Sequence, residues 1–338
     1  MDGLWGKLLF NGLLVSVLGS AVALSMLSLP AYSQDGATDV HITPRVSAAP
    51  PAAANAGVPG LPTVKSNVEV VLVPVTVTDP MDRLVTGLAK NNFAVFQDKE
   101  KQQIQNLSSD DAPVSVGVIF DVSGSMQDKM ANAREAISQF FRTGNPEDEF
   151  FLISFSDQPQ LVSHFTTRVE NIQEKLAFVQ SKGQTALLDA IYLGLHEMRQ
   201  AHHPRKALLI ISDGGDNHSR YTEGEVKSLV EEADVQVFGI GLFDPRPATP
   251  EEQMGPSLLT EITDKTGGRT YSIDNPNELA DVATKIGIAL RDEYVLAYHP
   301  TMKPHDGKWH KIKVKLLPPK GLPPLHIFAR QGYYAPSK

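Results

Sequence analysis

Cysteine is absent from this 338-residue chain. No disulfide can brace the fold, and no thiolate can hold a soft metal or act as a nucleophile. The absence also excludes a lipid-modified cysteine, but it does not assign a compartment, because many exported proteins lack cysteine. Positive charge is in deficit: 31 Lys and Arg face 39 Asp and Glu, a net charge of -8. Electrostatics therefore disfavour a nucleic-acid partner. The ten histidines show no H-E-x-x-H spacing, and neither Ser123 nor Ser125 sits in a Gly-x-Ser-x-Gly elbow. No internal repeat is evident.

What is present suits a globular protein with a real core: 41% hydrophobic and 21% charged residues. The length allows two ordinary domains, or one with additions. At the amino terminus Lys7 precedes an apolar stretch, Leu8 to Leu29, followed by Ala31-Tyr32-Ser33. That small-x-small pattern predicts a signal peptide over 1–33, cleaved after Ser33, and export to the periplasm or cell surface. Retention as a membrane anchor is the alternative, because about 20 apolar residues span a bilayer. Residues 34–64 are rich in Ala, Pro and Gly and read as a flexible linker.

From Asn67 the pattern turns to β. VEVVLVPVTVTD alternates β-branched residues, and NNFAVFQDKEKQQIQNL reads as a hairpin with Asp98-Lys99-Glu100 at its tip. Between 113 and 292 strands alternate with helices, which predicts a doubly wound, mostly parallel sheet between helical layers. ALLII (207–211) is apolar throughout, as a strand covered on both faces should be. After Asp292 the pattern returns to β. Residues 65–112 and 293–338 are each an incomplete β segment. The economical arrangement is an α/β fold inserted into a small β-sandwich that the two flanks form together.

The strand VGVIF ends at Asp121, and Ser123 and Ser125 follow at spacings of two. In extended chain such residues point the same way. ALLII also ends in an acid, within Ser212-Asp213-Gly214, and KGQTAL places the Thr185 hydroxyl at a helix start. Ligands of doubly wound sheets bind at such carboxyl ends. Two carboxylates and three hydroxyls are hard donors suited to Mg²⁺, Mn²⁺ or Ca²⁺. A cage this incomplete leaves positions for water, or for a carboxylate from a partner protein.

DVSGSM, KGQTAL and ISDGGD together resemble the metal-ion-dependent adhesion site of von Willebrand factor type A domains. Asp121, Ser123, Ser125, Thr185 and Asp213 match its five positions, and the resemblance covers roughly 113–292. It implies a six-stranded α/β fold with one antiparallel edge strand, a divalent cation, usually Mg²⁺, and metal-mediated protein binding rather than catalysis. The flanks resemble those of exported bacterial proteins described only as related to this family.

Three functions are weighed. The first is an exported, non-enzymatic, adhesion-type module that bridges its cation to an acidic side chain of a partner. The second is a structural subunit of a cell-envelope assembly with a stabilising ion. The third is a metal-assisted hydrolase, which needs a second carboxylate where Ser123 stands. Asp128, near a helix start, and Asp157 read as solvated loop residues, as do Asp216 and Asn217, for which a place on the rim of the site is the alternative; His202 and His203 read as exposed. A metal site at His299, His305 and His310 is not expected. Tyr294, Tyr298, Trp309, Tyr333 and Tyr334 read as sandwich core and surface pairs. GLFDPRPATPEEQMGP, from Gly241, reads as a long loop that shapes specificity.

Overall fold

A computed structural model describes residues 70–213, 215–244, 246–247, 249–301, 305–319 and 321–337. The expected signal peptide and linker lie outside the described residues. Among those described, no helix is long and apolar enough to cross a membrane.

The chain begins with strands β1 (Val71–Thr78), β2 (Phe93–Gln97), β3 (Glu100–Gln102) and β4 (Ile104–Ser108). β2 and β3 form the expected hairpin, turning on Asp98 and Lys99, both at positive φ. The α/β part follows: β5 (Val114–Asp121), α1 (Met130–Arg142), β6 (Glu149–Phe155), β7 (Pro159–Thr166), α2 (Val169–Ala177), α3 (Leu187–Glu197) and β8 (Arg205–Ser212). It continues with α4 (Glu223–Glu232), β9 (Gln236–Leu242), α5 (Pro250–Asp264), β10 (Thr270–Ile273) and α6 (Leu279–Arg291). The chain closes with β11 (Tyr294–Tyr298), β12 (Trp309–Leu316), β13 (His326–Ala329) and β14 (Gly332–Tyr334).

Six strands form the central sheet in the order β10-β9-β8-β5-β6-β7. All pairings are parallel except β6 with the edge strand β7. Every residue of β5 is buried, because apolar layers cover both faces. Val116, Val118 and Phe120 pack with α1 and α6 on one face, while Ile119 packs with α3 and α5 on the other. The chain leaves β5 toward β6 and later returns to its other side through β8. Strand order therefore reverses between β5 and β8, which opens a crevice at their carboxyl ends.

Two four-stranded sheets flank this unit, ordered β13-β1-β11-β4 and β14-β12-β2-β3. Each mixes strands from before and after the α/β part. Val73, Val75, Phe93, Val95, Tyr294, Leu296, Tyr298 and Ile312 share one core, so neither flank closes without the other. Tyr294, Tyr298 and Tyr333 are buried there, and Trp309 pairs with Tyr334 at 5.1 Å. His310 is held between Asp98 (2.6 Å) and Asp306 (3.0 Å).

One sequence reading needs correction. Residues 250–256 were expected in the loop that leaves Gly241, but they open α5. Thr249 caps that helix, Pro250 fills its first turn, and Glu252 closes a capping box. Pro256 lies inside the helix; at its seventh position it costs one hydrogen bond to the first turn and does not stop the helix.

Candidate functional site

Asp121 is the last residue of β5 and is wholly buried. Its Oδ1 accepts from the Ser123 N–H at 2.8 Å, and its Oδ2 accepts from the Ser212 hydroxyl at 2.5 Å. Burial pushes this carboxyl up from 3.8 to about 6, and the Asp213 charge adds to the rise. The bonds from Ser212 and Ser123 pull the other way.

Ser123 is buried beside Asp121, whereas Ser125 is exposed. The two hydroxyl oxygens lie 3.0 Å apart. The Ser125 hydroxyl donates to Asp213 Oδ1 at 2.9 Å, joining the ends of β5 and β8 across 88 residues. Thr185 lines the same recess of about 330 Å³ as Ser125 and Asp213. Asp121, Ser123, Ser125 and Asp213 thus form one hydrogen-bonded cluster, and Thr185 stands in its wall.

Backbone ties set the loops in place. The Gly124 N–H donates to the Gly183 carbonyl at 3.0 Å, and the Lys182 N–H to the Val122 carbonyl at 2.8 Å. Gly183 adopts φ +85, where a side chain would be strained and would run into Asp157. Asp157 and Asn217 are exposed, as read from sequence, and Asp216 is half-buried; all three also brace the site. Asp157 Oδ1 accepts from the Gln184 N–H at 2.8 Å. Asn217 Oδ1 accepts from the Thr185 N–H at 2.9 Å. Asp216 Oδ2 accepts from the Leu188 N–H at 2.8 Å, in the first turn of α3. Asp and Asn following Gly-Gly was the available signal.

Lys129 was not singled out from sequence. A 3₁₀ turn over Gly124–Lys129 carries it back over the cluster. Its ammonium lies 2.5 Å from Asp213 Oδ2. Asp244, Thr249, Glu251 and Glu252 line the same recess. Gly215 lets α5 approach: a Cβ there would lie 1.9 Å from the Glu251 carbonyl oxygen.

The donor set fits a hard divalent cation, for all five side chains offer oxygen and two are carboxylates. Among the described residues no group of three or more His, Cys, Asp or Glu has metal-binding form. The candidate here takes three of its five donors from hydroxyls. Bound here, such an ion would supply Lewis acidity and an attachment point for an outside oxygen, and Asp121, Ser123, Ser125, Thr185 and Asp213 are the residues that would hold it.

Comparison with known proteins agrees on the domain. The profile of the von Willebrand factor type A domain matches residues 116–215, which lie within the α/β part. An uncharacterised protein of Borreliella burgdorferi is 22% identical over 188 residues, covering 48% of this chain and 55% of that protein. The chain thus spans about half the length of that curated relative. Among solved structures, a von Willebrand factor type A protein of Catenulispora acidiphila is similar at TM-score 0.48 and 13% identity, covering 80% of this chain and 75% of that one. BatB from Bacteroides thetaiotaomicron is similar at TM-score 0.42 and 20% identity, over 52% of this chain and 98% of that one. The PilB minor pilin of Streptococcus sanguinis is similar at TM-score 0.45 and 14% identity, over 57% and 64%.

Proposed function

We propose that the chain is an exported, non-catalytic binding module. It holds a divalent cation, Mg²⁺ foremost with Mn²⁺ or Ca²⁺ as alternatives, at Asp121, Ser123, Ser125, Thr185 and Asp213. An acidic side chain of a partner protein completes the ion's shell. The observation that carries this reading is the 2.9 Å bond from Ser125 to Asp213, with Thr185 on the same recess. Residues remote in sequence are brought together there as oxygen donors at the mouth of the β5–β8 crevice. The matched domain type supports protein interaction, and the Lys7-to-Ser33 pattern supports export.

Isothermal titration with Mg²⁺ and with Mn²⁺ tests the site. Wild type should bind one ion. Asp213→Ala and Thr185→Ala should each weaken binding by tenfold or more, on the scale of lost ligand-shell contacts. A partner held by wild type in Mg²⁺ should be released by EDTA and not retained by Asp213→Ala. Equal retention in EDTA and Mg²⁺ would refute the bridging role.

A second reading, an ion that only stiffens the loops, draws on the burial of Asp121 and Ser123. Under it Mg²⁺ raises the melting temperature and leaves partner affinity unchanged.

A further inference from the structure

Asp213 is committed on both oxygens. Oδ1 accepts from Ser125, and Oδ2 faces the Lys129 ammonium at 2.5 Å. The Asp213 side chain is 1% exposed, so water contributes little to its balance, while that of Lys129 is 25% exposed. We infer that Lys129 and a divalent cation compete for Asp213, so that this lysine sets how tightly the site holds its ion. The inference rests on the cation site proposed above and names its regulator.

The reasoning is electrostatic and geometric. A cation within reach of Ser125 and Asp213 comes within a few ångströms of the ammonium, and like charges that close repel strongly away from bulk water. Lysine is a compact charge on a flexible stem, so it can leave without moving the backbone. The same recess is lined by two further carboxylates, Asp244 and Glu251, so the lysine stays in an acidic surrounding when it leaves Asp213. The lysine is thus a tethered monovalent counter-ion that neutralises Asp213, and it yields that carboxylate when a stronger charge arrives.

The test uses Mg²⁺ alone as probe, on the full chain and its Lys129→Gln and Lys129→Arg variants. Gln keeps a donor for Asp213 but removes the charge; Arg keeps the charge. Titration should show Lys129→Gln binding Mg²⁺ roughly tenfold more tightly, and Lys129→Arg close to wild type. In EDTA, Lys129→Gln should melt below wild type, and saturating Mg²⁺ should raise its melting temperature further than that of wild type. Equal or weaker Mg²⁺ binding by a folded Lys129→Gln would overturn the inference while leaving the site intact. No Mg²⁺ binding by wild type or either variant would overturn the site reading, and this inference with it.

Discussion

Asp121 carries the sharpest conflict of any single residue here. Its carboxyl is wholly buried beside a second carboxylate, and its pKa stands near 6 against 3.8 for the free group. A carboxyl raised in this way favours folding fully below pH 3.8, and the contribution is lost as pH rises through about 6. In chelator at pH 8 the charged form therefore works against the fold. Asparagine keeps the acceptor for the Ser123 N–H and can donate to the Ser212 hydroxyl. We predict that Asp121→Asn raises the melting temperature in EDTA at pH 8 by about 2–4 °C, the shift that ~1 kcal/mol makes at this domain size. The gain should vanish near pH 4, and Mg²⁺ should no longer stabilise the variant. Calorimetry across that pH range, with and without Mg²⁺, checks all three points.

At the scale of elements, the contact between α5 and the loop after β8 controls the recess. Gly215 is the point of contact, since a Cβ there would meet the Glu251 carbonyl at 1.9 Å. Gly215→Ala should push the first turn of α5 away and displace Asp213, two residues before it. The expected result is a fold that survives, with far-UV circular dichroism unchanged, and Mg²⁺ affinity lowered about tenfold by titration. This contact also marks what could be read from the chain. The strands at 116–120 and 207–211 were legible because both faces are covered and the residues are continuously apolar. Asp121, Ser123 and Ser125 were legible as a group of oxygen donors just past a strand, but not for the reason of extended spacing: only Asp121 is in the strand, and the 3₁₀ turn Gly124–Lys129 brings the Ser125 hydroxyl within 3.0 Å of that of Ser123. The start of α5 was not, because Gly255 and Pro256 mask a capping box that sits earlier, at Thr249 and Glu252. Lys129 and Asn217 were not, because their partners Asp213 and Thr185 lie 84 and 32 residues away, beyond any local pattern.

For the whole molecule, Arg205 ties the inserted unit to its frame. It bonds the Ala112 carbonyl at 2.8 Å where the chain enters the α/β part. It bonds Glu293 at 2.6 Å, and the Leu290 carbonyl, where the chain leaves. Glu293 is buried, and burial pushes its carboxyl up despite the Arg205 charge beside it. Removing the guanidinium alone strands that group. Arg205→Met should cost about 3–5 kcal/mol in denaturant unfolding, and adding Glu293→Gln should recover a large part of it. Additive losses in the double variant would count against the clamp.

The interleaving of β1 to β4 with β11 to β14 also orders events in time. During synthesis the apolar faces of β1 and β2 emerge long before the strands that cover them. Early folding of the intervening α/β part brings its own ends together and shortens the search those distant strands must make. Until then the nascent chain carries uncovered sheet edges, a hazard for sticking to its neighbours. We predict from this connectivity that closing of the frame is the late step, so that refolding followed at Trp309 lags refolding followed by far-UV circular dichroism; coincident phases would refute it.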